Sequence, residues 1–346
     1  MCKLSYLLSV ILLIVSAPVA IAQSLGQLME QGQAAQAARN YSQAEEIFRR
    51  LTVMAPENVN AHINLGLALA GQRRFSEAAI QYRQAIALEP RNVTANYYLA
   101  SALASQGLRR EAVTAYRNTL SIDPNYVNAH IGLGNVLREL GQPNEAIASY
   151  RTALGLNEAN PVAHTNLGLV LGELGRTEEA VASYTRAIQI NPNFVNAHVN
   201  LGIALLTLGR RDQAIASFRE AIRLEPNNHL SHYNLGVSLR QRGDIDAAIA
   251  SFQATLRLDP SYANAHVGLG NAYLSQRKLP EAIASYREAI RLNPNDAAAH
   301  YNLGSALNDA GQTEEALNSY RNAARLNPQF CQRFEVLRQL GACAAG

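Results

Sequence analysis

Signatures of chemistry are scarce in this sequence. It contains no GxSxG, no phosphate-cradling glycine loop and no HExxH. The nucleophile elbow, the P-loop and the zinc-peptidase helix are therefore excluded by motif. Charge of one sign is scarce too: 30 Lys and Arg against 27 Asp and Glu leave +3. So near-neutral a chain gives no electrostatic reason to expect nucleic acid or an anionic membrane surface. Cysteine is confined to Cys2, Cys331 and Cys343. None of them forms a CxxC pair, which removes the compact zinc and redox motifs.

Long apolar runs are absent except at the start. Residues 1–22 read MCKLSYLLSVILLIVSAPVAIA. Lys3 is the charged start, Leu4–Val15 the apolar stretch, and Ala20-Ile21-Ala22 an A-x-A site before Gln23. An uncleaved anchor could barely span a bilayer. Ser16, Pro18 and the small-residue end favour cleavage. The expectation is a signal peptide over 1–22 and a mature protein beginning at Gln23. That protein is extracytoplasmic, periplasmic or secreted, and touches membrane only if the signal is retained. Export makes a disulfide chemically accessible. A helix over Cys331–Leu340 would nevertheless span roughly 15 Å, and three more residues do not easily return Cys343 to disulfide range. Two unpaired thiols, or a contact between molecules, are therefore expected.

What the chain does have is a period. Val195–Asn228 reads VNAHVNLGIALLTLGRRDQAIASFREAIRLEPNN. Leu201, Leu205 and Leu208 stand at i, i+4 and i+7, and Ala214, Phe218 and Ala221 repeat those offsets. Each half is thus an amphipathic helix. Gly209 between them suits a left-handed helix end, and Pro226 stops the second helix. The unit recurs every 34 residues, carried by Ala44, Ala78, Ala112, Ala146, Ala180, Ala214, Ala248, Ala282 and Ala316. An aromatic follows each alanine by four, from Phe48 and Tyr82 through Phe218 to Tyr320.

A second period of 136 overlies the first. Val59–Leu69 matches Val195–Leu205, Val127–Leu137 matches Ala263–Tyr273, and Thr119 and Thr255 both replace an alanine. These shared departures imply a block of four repeats, 59–194, duplicated as 195–330. Residues 25–58 form a degenerate N-terminal capping repeat with a Gln- and Ala-rich first helix. Residues 331–346 hold a C-terminal capping helix and tail, with Ala342–Gly346 frayed. Glu158 interrupts the proline series, Pro161 comes three residues late and Gly155 sits inside a helix. A longer or looser joint is expected over 155–161.

The small, aromatic and proline positions resemble those of the tetratricopeptide repeat over nine copies, residues 25–330. The resemblance implies an all-α, right-handed superhelical solenoid of helix–turn–helix repeats whose first helices line the concave side at repeat positions 2, 5, 6 and 9. Position 6 holds Asn64, Asn166, Asn200, Asn234 and Asn302; position 2 holds Asn60, Asn128, Asn196 and Asn264; position 9 adds Asn135 and Asn271. A primary amide both donates and accepts, so it can grip a peptide group from either side. This arrangement resembles the asparagine ladder of O-linked N-acetylglucosamine transferases. Their catalytic region is a large α/β part after the repeats, and sixteen residues follow Phe330 here. The carboxylate clamp of the family's co-chaperones needs Lys or Arg at positions 2, 5 and 6, and none stands there in 59–330.

His62, His130, His164, His198, His232, His266 and His300 share one repeat position. Their helices pack roughly 8–10 Å apart, so zinc ligands would have to stretch across that gap, and no carboxylate or thiol recurs beside them. They are expected to pack with one nitrogen hydrogen-bonded. Arg83, Arg117, Arg151, Arg219 and Arg287 are expected on a solvated outer face. The expected function is that of a non-catalytic scaffold binding an extended peptide, without cofactor, metal, small-molecule substrate or nucleic acid. The alternatives are an accessory subunit for a separate glycosyltransferase-type enzyme and a self-associating structural rod.

Overall fold

A computed structural model describes residues 24–333. The signal segment, the tail after Gly341 and most of the expected C-terminal cap lie outside the described residues. Among the described residues there are helices and no strands. They come in pairs, one pair per repeat. The first is α1 (24–37) with α2 (Tyr41–Met54). Next come α3 (Val59–Gly71) with α4 (Phe75–Leu88), α5 (Val93–Ser105) with α6 (Arg109–Ile122), and α7 (Val127–Glu139) with α8 (Pro143–Leu156). These are followed by α9 (Pro161–Glu173), α10 (Thr177–Ile190), α11 (Val195–Thr207), α12 (Arg211–Leu224), α13 (His229–Arg242) and α14 (Ile245–Leu258). The last are α15 (Ala263–Ser275), α16 (Leu279–Leu292), α17 (Ala297–Asp309), α18 (Thr313–Leu326) and the short α19 (Gln329–Arg333). No described helix is long and apolar enough to cross a membrane.

Local chemistry starts and stops these helices. The side chains of Asn58, Asn92, Asn160 and Asn228 accept from the backbone amides of Ala61, Ala95, Ala163 and Ser231 at 2.9–3.0 Å. Each satisfies one of the orphan amides at the start of a first helix. Most second helices lack such a cap and instead carry an acid in the first turn, as at Glu77, Glu111 and Glu145. A carboxylate there opposes the positive end of the helix dipole. Between the halves of a repeat Gly209 takes φ +73°, as its place after a helix end predicts. Arg73 adopts φ 62° at the equivalent turn, so glycine is favoured there without being required.

Packing within a repeat depends on a small residue meeting a ring. Ala214 is fully buried, as are its eight counterparts from Ala44 to Ala316. A Cβ added to Gly202 would lie 2.6 Å from Phe218 Cζ, and one added to Gly66 would lie 2.4 Å from Tyr82 Cε1. The ring therefore occupies the space a side chain would need. Phe252 does this twice, against Gly236 of its own repeat and Gly268 of the next. Such rings join one repeat to its neighbour, giving the nearest-neighbour stability expected of a solenoid.

By packing, the chain divides between Val170 and Leu171 into two compact units. In the first, Glu45 ties two repeats together: it accepts from Gln72 Nε2 at 2.8 Å and pairs with Arg74 at 2.6 Å. Desolvation opposes ionisation of this carboxylate, but its bonds to Gln72 and Arg49 and the Arg74 charge prevail. Its pKa falls below the ordinary glutamate value.

Two expectations are corrected. The joint over 155–161 is not longer: α8 ends at Leu156 and α9 begins at Pro161, the same spacing as Ile190 to Val195 in the next repeat. Pro161 occupies the first helical position, where a missing N–H costs nothing, and the Asn160 cap completes the start. Cys331 is disulfide-bonded rather than free. Its partner lies outside the described residues. Free thiols would follow from one helix over Cys331–Leu340; the described helix is Gln329–Arg333.

Candidate functional site

First helices of successive repeats touch one another: α3 with α5 and α5 with α7 in one unit, α11 with α13, α13 with α15 and α15 with α17 in the other. They line the inner side of each stack. Second helices turn outward, where Arg83, Arg117 and Arg287 are exposed and reach Glu111, Glu145 and Glu315 of the following repeat at 3.9, 3.3 and 2.6 Å. Exposed pairs of this kind contribute about 0–1 kcal/mol each. They mark the arginine face as solvated, as its position on the second helix predicts.

The asparagines fall into three groups. Asn60, Asn128, Asn196 and Asn264 are exposed. Asn64, Asn135, Asn166, Asn271 and Asn302 are half-buried and already hydrogen-bonded inside the protein. Asn64 Nδ2 points to Met29 Sδ at 3.4 Å. Asn166 Nδ2 donates to Asn135 Oδ1 at 2.9 Å, and Asn302 Nδ2 to Asn271 Oδ1 at 3.3 Å. Tyr150 and Tyr286 donate to the same two oxygens at 2.7 and 2.8 Å. The third group is Asn200 and Asn234, half-buried on the inner side, whose amides have no hydrogen-bond partner among the described residues. The expected row of equivalent amides is thus broken up, because position 9 asparagines draw position 6 asparagines into internal pairs.

Six of the seven histidines make the expected ring hydrogen bond. Nε2 of His62, His130, His164, His198, His232 and His300 lies 2.8–3.0 Å from the backbone carbonyl six residues earlier. A carbonyl only accepts, so Nε2 carries the proton and donates. For His164 the acceptor belongs to Glu158, so loss of the proline leaves the bond intact. Asn96 stands at this position in its repeat and donates to Pro90 O at 3.3 Å and Asn92 O at 2.9 Å.

Buried tyrosines surround the inner face. Desolvation pushes the Tyr286 hydroxyl above the ordinary tyrosine range, opposed by the nearby Arg240 charge. Tyr233 is raised by burial and by Tyr262, again against Arg240. Arg240 lies outside the clamp positions 2, 5 and 6; over 59–330 the charged residues at positions 2, 5, 6, 9 and 12 are Arg138 and Arg240, both at position 12.

Family models described as tetratricopeptide repeat match residues 29–86, 69–127, 115–148, 199–263 and 297–330. A further one, described as TPR repeat, matches 134–175, 170–209 and 270–308. Among curated proteins, no sequence matches the chain. Several solved structures are similar in fold. The Cut9–Hcn1 hetero-tetramer of the APC/C is 20% identical with a TM-score of 0.58, over 81% of this chain and 55% of that one. A tetratricopeptide repeat protein from Parabacteroides merdae is 18% identical at 0.56, over 72% and 99%. Pseudomonas aeruginosa pilF is 23% identical at 0.54, over 60% and 95%. Repeat length, helix pairing, ring-into-glycine packing and the matched segments agree, and the chain belongs to the tetratricopeptide repeat family.

Proposed function

We propose that this protein is a non-catalytic scaffold that holds an extended segment of a partner protein against its first helices. One observation carries the reading. Asn200 and Asn234 present half-buried amides with no partner among the described residues, one repeat apart, while the position 6 asparagines Asn166 and Asn302 are drawn into internal bonds. Adjacent first helices lie about 10 Å apart, a distance an extended chain covers in roughly three residues. The two amides therefore meet peptide groups about three residues apart and leave the side chains between them loosely read. Contacts of this kind tolerate sequence variation, and their strength depends little on salt because the amides are uncharged. Export of the mature chain from Gln23 is part of the proposal, and the partner is then an exported protein.

The test uses the mature protein to capture partners from the exported fraction, followed by titration calorimetry. Replacing Asn200 and Asn234 together by alanine is expected to cost about 1–3 kcal/mol of binding, at 0.5–1.5 per hydrogen bond. Circular dichroism checks that the variant is folded. Unchanged affinity in a folded double variant moves the site away from this face.

A further inference from the structure

Positions 2, 5, 6, 9 and 12 of each first helix share the inner side, being three or four residues apart. Over the four repeats beginning at Val195, one side chain at these positions is charged, and it is Arg240. It is half-buried in the last turn of α13, with no ion pair and no side-chain hydrogen bond among the described residues. It stands 31 residues before Asn271, the offset at which Asn271 meets Asn302 on the next first helix, and its charge opposes the upward pKa shifts of Tyr233 and Tyr286.

Tyr286 is the link to a second group. Asn271 Oδ1 accepts from both Tyr286 Oη and Asn302 Nδ2. An amide oxygen offers two lone pairs, and these two donors fill them. Asn271 Nδ2 is left as a donor with no acceptor among the described residues. A guanidinium and an amide N–H thus lie on one inner face, open to solvent and with no protein acceptor among the described residues. Their complement is an anion with two oxygens. Within a partner segment, away from a chain end, that group is the side-chain carboxylate of Asp or Glu. Around it the face is aliphatic: Ile203 is 44% exposed, and Leu206, Val237 and Leu274 are half-buried. The matching network Tyr150–Asn135–Asn166 has Ala104 where the second has Arg240; its arginine, Arg138, instead follows Asn135 by three residues in the same helix.

We propose that Arg240 and Asn271 bind a carboxylate on the partner segment, so that this face selects an extended, mainly uncharged peptide carrying one Asp or Glu. The proposal rests on the peptide-binding reading above and adds the chemistry of the ligand. The other use for Arg240 is to offset the negative end of the α13 dipole, and that role affects stability rather than peptide choice.

The experiment selects binders from a library of random linear peptides on the mature protein. Fluorescence anisotropy then compares each binder with the form in which its acidic residue is the amide. Selected peptides are expected to carry Asp or Glu, and the amide form to bind about tenfold or more weaker. R240Q should erase that difference and R240K should keep part of it. Added salt should weaken the acidic peptide and leave the amide form nearly unchanged. The variant N200A/N234A should weaken both forms alike. Equal binding of acidic and amide forms, lost in N200A/N234A, overturns the carboxylate site and leaves the groove standing. Failure to select any binder, or binding untouched by N200A/N234A, overturns the groove reading and this one together.

Discussion

Tyr150 donates its hydroxyl proton to Asn135 Oδ1 across 2.7 Å, and 136 residues later Tyr286 does the same to Asn271 across 2.8 Å. The rings Tyr97 and Tyr126, with centroids 5.1 Å apart, recur as Tyr233 and Tyr262 at 5.1 Å. We infer a common origin for the two blocks from these paired departures. Y150F and Y286F are each expected to cost about 0.5–1.5 kcal/mol, since one hydrogen bond is lost and Asn166 or Asn302 still satisfies the oxygen. Urea unfolding fitted with nearest-neighbour coupling is the suitable measurement, because repeat arrays depart from two-state behaviour. A neutral Y150F beside a costly Y286F would show that the two networks are not energetically equivalent.

Ala214 is fully buried and His198 is 7% exposed. Ala214→Leu adds bulk to a close helix contact and should cost about 1–3 kcal/mol. His198→Gln loses one bond to the Pro192 carbonyl, and Asn96 shows that an amide can serve at this position. Its cost should be about 0.5–1.5 kcal/mol, with the metal content of the native protein unchanged. Thermal unfolding ranks the two variants, and mass spectrometry of native protein would detect any zinc lost with the histidine.

Two helical glycines should respond in opposite directions. Gly202→Ala places a methyl 2.6 Å from Phe218 and must displace a ring packed at full burial. A destabilisation of about 1–3 kcal/mol is expected. Gly155→Ala meets nothing within 4 Å. It should stabilise α8 by about 0.5–1 kcal/mol, through helix propensity alone. A stabilised Gly202→Ala would mean that the ring yields freely and that the small residue is not needed.

Export is expected to remove residues 1–22, which lie outside the described residues. N-terminal sequencing of native protein should read from Gln23. Intact Met1 in the membrane pellet would instead make the segment an anchor.

Sequence alone determined the repeat. A period of 34 with alternating amphipathic halves leaves few ways to bury the apolar stripes, and helix propensity, turns and prolines all point to the same pairs. Gly209, Ala214, Phe218 and the histidines were legible for that reason, since each is fixed by contacts inside one repeat or with the next. The asparagines were legible as a set and misleading as individuals. Whether a position 6 amide is free depends on what the preceding repeat places opposite it. Asn166 meets Asn135 and is consumed, while Asn200 and Asn234 meet no such partner. Arg240 is legible in the sequence as a charge at position 12; what folding added is the Tyr286–Asn271–Asn302 network on the next two repeats. Periodicity says which face a residue is on, but the orientation of an amide and the isolation of a charge come from side chains 31 or more positions away. Only tertiary structure brings those together.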